Sequence, residues 1–159
     1  MNAADRAEQA TFFRGALLLG LIRGERVIAW ADEVLAGDPG VPSAFVEIAT
    51  TPASDLTQLR QRLLLVGSEV ESDTVFRAIV GLVHRDLSSG RRSMGDTMTV
   101  LKQLRASIKV TPALNDRLKT MGVDVAMTAP DTRERADAEA RVRAWLARHE
   151  RDALPFLQP

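Results

Sequence analysis

The chain has 159 residues, 45% hydrophobic and 26% charged, the balance of an ordinary globular protein long enough to bury a core. It has no cysteine, which excludes disulfides, thiolate metal sites and a cysteine nucleophile, and its two histidines leave little from which to build a histidine metal centre. Formal net charge is zero but unevenly spread: residues 24–75 carry nine acids and three bases, residues 76–123 nine bases and three acids. Such a split can create oppositely charged surfaces, a property suited to binding.

Helix signals recur along the chain and strand signals do not. Residues 3–22 read as a first helix whose later part is apolar nearly all round, the pattern of a buried helix. That apolar run is far short of the ~20 residues a membrane span needs. A signal-peptide reading is opposed by Asp5 and Glu8 where positive charge should dominate, and by Arg23, Glu25 and Arg26 before the would-be cleavage site. A soluble, cytoplasmic protein with no membrane partner is therefore expected.

A second helix begins at Gly24 with the stripe Val27, Ile28, Ala31, Val34 and Leu35, and ends at Gly37. Pro42 suits the first position of a short third helix to about Thr51, and Ser54 can cap a fourth carrying Leu56, Leu59 and Leu63. Ser68 and Glu71 have capping-box spacing for a fifth, with Phe76, Ile79, Val80, Val83 and Leu87, that stops at Gly90. Residues 94–109 carry Met94, Met98, Leu101, Leu104 and Ile108 on one face. Thr111 and Pro112 open a short helix that Gly122 would close, with a lone strand over 123–127 as the alternative. Asp131 and Glu134 cap a last helix with Ala138, Val142, Trp145, Leu146 and His149 on one face and i,i+4 charge pairs on the other.

The expectation is one all-α domain over residues 1–159, an irregular bundle of about seven to eight short helices. Two are central, at about 10–22 and 69–88, and residues 131–159 would dock as an appendage. No exact repeat is visible. More apolar stripes are present than an eight-helix monomer needs, which leaves a homodimer open.

Catalytic, cofactor and metal sites are not expected. No phosphate-binding loop, H-E-x-x-H or carboxylate-x-x-His pattern occurs. His84, Asp86 and Ser88 resemble a hydrolase set only superficially, since residues two apart on a helix point in different directions. Glu25, Asp32, Glu33 and Glu47 are the candidate protein-binding residues, on an acidic surface from helices two to five. The alternative is a nucleic-acid contact through Arg91, Arg92, Lys102, Arg105 and Lys109, of which the last three lie within about 60° on an ideal helix. Aromatic interleaving is absent, which favours a solvated basic face. Trp30 and Trp145 each adjoin an apolar stripe and read as packing residues more readily than as interface anchors.

The segment Gly24-Glu25-Arg26-Val27-Ile28-Ala29-Trp30-Ala31-Asp32-Glu33, continued loosely by Pro42-Ser43-Ala44-Phe45-Val46-Glu47-Ile48-Ala49, resembles small all-helical bacterial proteins of unassigned function, some of them immunity-protein-like. The resemblance spans about residues 12–66 and rests on a helix pattern. It implies a cytoplasmic protein that binds another protein without catalysis, for which the acidic stretch would suit a basic partner.

Overall fold

The computed structural model describes residues 2–38, 40–67 and 72–157. Every regular element among them is helical. In chain order these are α1 (Ala3–Leu18), α2 (Gly24–Gly37), α3 (Ala44–Ala49), α4 (Leu56–Val66), α5 (Asp73–Ser88), α6 (Met94–Ser107), α7 (Pro112–Ala126), α8 (Arg133–Ala147), a 3-10 turn (Glu150–Ala153) and α9 (Leu154–Leu157). None is long and apolar enough to cross a membrane. The chain divides into two compact units, Met1–Val70 with Phe156–Pro159, and Glu71–Pro155.

In the first unit, Asn2 and Asp5 form a reciprocal capping box that satisfies amides the opening of α1 would otherwise leave unpaired. From Gln9 onward α1 is buried on almost every side, as its all-round apolar sequence requires. It packs on α4, while α2 packs on α3 and α3 on α4. The core is a run of rings: Phe13 and Phe45 flank Trp30 with centroids 5.1 Å away on each side, and Phe12 stacks on Phe156 at 4.7 Å. Burying each ring contributes roughly 1.5–3 kcal/mol. Helix α1 is shorter than the apolar run suggested, because Gly20 takes a left-handed φ of 64° and turns the chain. Helix α3 starts after Pro42, with Ser43 as N-cap, and α4 is capped by Asp55 rather than Ser54, its carboxylate accepting from the Gln58 amide at 3.0 Å.

In the second unit, Ser72 caps α5, and the Ser68–Glu71 capping box lies outside the described residues. Helix α5 is the most buried element here, packing on α6, α8 and the 3-10 turn. Helix α7 runs through Gly122 instead of closing there and absorbs the segment read alternatively as a strand. Its ladder continues to the bond from the Met127 amide to the Val123 carbonyl. Thr132, not Asp131, caps α8, because Asp131 adopts a left-handed φ of 61° and so cannot offer cap geometry. Helix α8 is integral to this unit through its packing on α5 and α7.

The two units share a plan that the letters of the sequence conceal. Helices α1 and α5 each have 16 residues, α2 and α6 each have 14, and position n of the first pair matches n + 70 of the second: Ala3 with Asp73, Gly24 with Met94. Gly20 and Gly90 fall at the same point of the linking turn, both with positive φ. The buried face of α2 (Val27, Trp30, Ala31, Val34) recurs in α6 as Thr97, Val100, Leu101 and Leu104. The packing order recurs as well, first helix on fourth, second on third, third on fourth.

Candidate functional site

The acidic candidates are displayed by α2 and α3. Residues 25, 29, 32 and 36 share one face of α2, so Glu25 and Asp32 stand one above the other with small alanines between and beyond. Both acids are exposed and neither has an ionic partner among the described residues. The opposite face, from Val27 to Val34, is buried, so the helix presents these carboxylates from a fixed backbone. Glu33 lies 3.6 Å from the Arg26 guanidinium, and Glu47 is paired with Arg62. The four acids thus divide into two unpaired and two already engaged.

The basic candidates divide in the same way. Arg91 and Arg92 both converge on the buried carboxylate of Asp86, at 2.8 and 3.1 Å. Lys102, Arg105 and Lys109 make no ion pair among the described residues, and the first two lie along the rim of a cleft. Trp30 and Trp145 are buried within their units, which settles them as packing residues.

The histidines are more connected than spacing alone suggested. Asp86 turns away to its arginines, but Ser88 stands one helical turn beyond His84, with its Oγ 3.1 Å from Nε2, and Glu150 lies 3.7 Å from Nδ1. The i,i+4 relation makes the Ser–His pair possible, and the fold delivers Glu150 to His84 from 66 residues further along the chain. This is a serine–histidine–carboxylate sequence without the rest of a nucleophilic centre. The amides of Ser89, Gly90 and Arg92 all bond to carbonyls of the same helix, and a helix C-terminus carries partial negative charge, the wrong sign for an oxyanion. No cluster of three or more His, Asp or Glu able to hold a metal ion occurs among the described residues.

Two of the hollows among the described residues lie in the second unit. One, of about 320 Å³, lies between α7 and α8 beside Met121 and Trp145, with Arg141 and Asp124 facing across it at 3.9 Å. The larger, of about 710 Å³, is enclosed by α6, α7 and the start of α8. Its floor is Leu101, Leu118 and Val125, all buried, and its rim carries Lys102, Arg105 and Lys119 with no carboxylate in the lining. The sequence located Lys102 and Arg105 but not the cleft. Finding it required knowing that α7 continues past Gly122.

Among the described residues the fold is all-helical, in two units that share one packing plan. No family model, curated protein or solved structure matches the chain.

Proposed function

We propose that the chain is a non-enzymatic, cytoplasmic interaction protein, immunity-like in kind, that docks a basic protein partner through the acidic face of α2. The observation that carries this reading is the pair Glu25 and Asp32, exposed and without ionic partners, on a helix whose other face is held in the core. Unpaired carboxylates on a rigid support steer a cationic surface at no cost in internal ion pairs. Glu33 and Glu47 are held by Arg26 and Arg62, so the reading rests on Glu25 and Asp32.

The test is affinity capture of the full chain from the cell that makes it, with Glu25→Lys/Asp32→Lys as the control variant. A specific partner is expected whose association slows about tenfold or more on charge reversal and weakens with salt, while the thermal midpoint stays unchanged. Recovery of nothing above background, or equal recovery by the reversed variant, overturns it. The alternative, a nucleic-acid contact through the basic stripe, has three unpaired cations in support once Arg91 and Arg92 are committed to Asp86. It requires a salt-sensitive gel shift lost on neutralising Lys102, Arg105 and Lys109.

A further inference from the structure

The chain returns from α6 into α7 through the short turn at residues 108–111, which lays the two helices side by side. A Cβ placed on Gly122 would sit 3.9 Å from Met98 Cε, so these positions face each other near the end remote from the turn. The cleft is therefore sorted by position. Gly95, Met98, Gly122 and Val123 make the part remote from the turn small and apolar, while Lys102, Arg105 and Lys119 stem from positions nearer to it.

Two further facts sharpen that polarity. Arg135 is the cation at the apolar end, and it is already compensated. Its Nε donates to Glu139 at 2.7 Å and one terminal nitrogen donates to the Val125 carbonyl at 2.6 Å. At the other end Lys102 and Arg105 have no ionic partner among the described residues, and Lys119 meets only the exposed Asp116, at 4.0 Å. Val123 leaves the apolar end wet, being 57% exposed. The cleft thus offers Lys102 and Arg105 without ionic partners among the described residues, beside exposed apolar surface at Val123.

We propose that this cleft binds a single-headed anionic amphiphile, a medium- to long-chain fatty carboxylate, with its head among Lys102, Arg105 and Lys119 and its tail along Met98, Gly122 and Val123. The volume is within the range of small-molecule sites, roughly 300–1,000 Å³. A nucleic acid would leave the apolar end unused and would want its cations spread along a backbone. An acidic helix would distribute carboxylates over its length, whereas the cations without buried partners here stem from a short stretch, Lys102, Arg105 and Lys119, beside apolar lining. The site belongs to the second unit and does not depend on the acidic face of α2.

Calorimetric titration of the full chain with laurate, octanoate and dodecyltrimethylammonium, each below its micellar concentration, tests the proposal. Laurate should bind one to one. Octanoate, four methylenes shorter, should bind on the order of a hundredfold more weakly, since each buried methylene is worth about a fourfold change. The cationic chain should bind at least tenfold more weakly than laurate. Lys102→Ala/Arg105→Ala should weaken laurate by tenfold or more with no change in thermal midpoint. Gly122→Leu should abolish laurate binding by filling the cleft, with a midpoint unchanged or raised because leucine favours the helix. Glu25→Lys/Asp32→Lys should leave laurate binding untouched, so failure here and failure of the partner-binding reading are separable. Equal affinity for laurate and the cationic chain overturns the proposal, as does no laurate binding, or laurate binding indifferent to both cleft variants. Binding of an acidic amphipathic peptide in place of laurate would assign the cleft to a protein segment instead.

Discussion

Single carboxylates decide local order in the second unit. Asp86 is nearly buried, and its two oxygens accept from Arg91 and Arg92, so one side chain near the end of α5 fixes the turn leading into α6. Asp86→Ala should cost about 1–3 kcal/mol, the range for removing a buried hydrogen-bonded partner, discounted because Arg91 is well exposed. Urea denaturation measures it, and a loss below about 0.5 kcal/mol would show that the turn holds without the clamp. Asp96 acts at the surface: the Ser93 hydroxyl and then the Ser93 amide donate to its carboxylate, and both hold its pKa below 3.8. A carboxylate with a depressed folded pKa stabilises above its unfolded value, about 3.9, and loses that contribution as pH falls through the folded one. The stability gap between wild type and Asp96→Asn should therefore be present at pH 5–7, about a unit or more above that value, and close on acidification below it. A gap independent of pH would refute the assignment. Asp38 follows the same sign, lowered first by the Arg6 side chain and then by the Gly40 amide. The arrival of Glu150 at His84 was not visible in spacing, because a local pattern shows which residues share a face but not which distant group arrives opposite them, and the Asp86 clamp depends on how the turn after α5 folds back.

At the scale of the helix, two glycines of similar appearance in the sequence have opposite meanings. Gly81 lies inside α5, where alanine would ordinarily be preferred by about 1 kcal/mol. A Cβ there would fall on the carbonyl oxygen of His149 and 3.2 Å from its carbonyl carbon, so the 3-10 turn packs on α5 only because the side chain is missing. Gly81→Ala should destabilise by about 1–3 kcal/mol, the usual cost of overpacking. Gly122→Ala meets only ordinary contact at Met98 and should stabilise by up to about 1 kcal/mol. Paired thermal melts check both, and the same sign at the two sites would contradict the packing described. The contrast marks what was legible. Helix identity was readable from periodicity: α2, α5 and α6 lie where their stripes place them. Boundaries failed where a cap or glycine had two uses, as with Gly122 inside α7 and Asp131 beside Thr132, because the choice is made by tertiary partners and backbone φ. For the site, the charged side chains were readable and the hollow between them was not, since a cleft is a property of two helices at once.

Over the whole chain, the repeat at n + 70 escaped sequence reading because burial persisted while volume drifted: Trp30 answers to Val100, and Ala31 to Leu101, so a large and a small side chain exchange places across the core. One feature breaks the symmetry. The last described residues belong to the first unit, although the chain before them builds the second. Gln9, buried in α1, donates to the Phe156 carbonyl at 2.8 Å, Arg26 donates to the Leu157 carbonyl at 2.9 Å, and the Phe156 ring lies on Phe12. A segment held by a ring stack and two side-chain bonds is a structural member of the unit it packs on. Phe156→Ala should therefore cost about 3–5 kcal/mol, the range for emptying a buried phenylalanine site. Hydrogen exchange locates the loss. Amides of α1 and α2 should exchange faster in the variant, while those of α6 and α7, which belong to the other unit, keep their protection. Uniform acceleration in all four helices would mean that the two units unfold as one cooperative body, and unchanged exchange in α1 would mean that the segment rests on the first unit without supporting it.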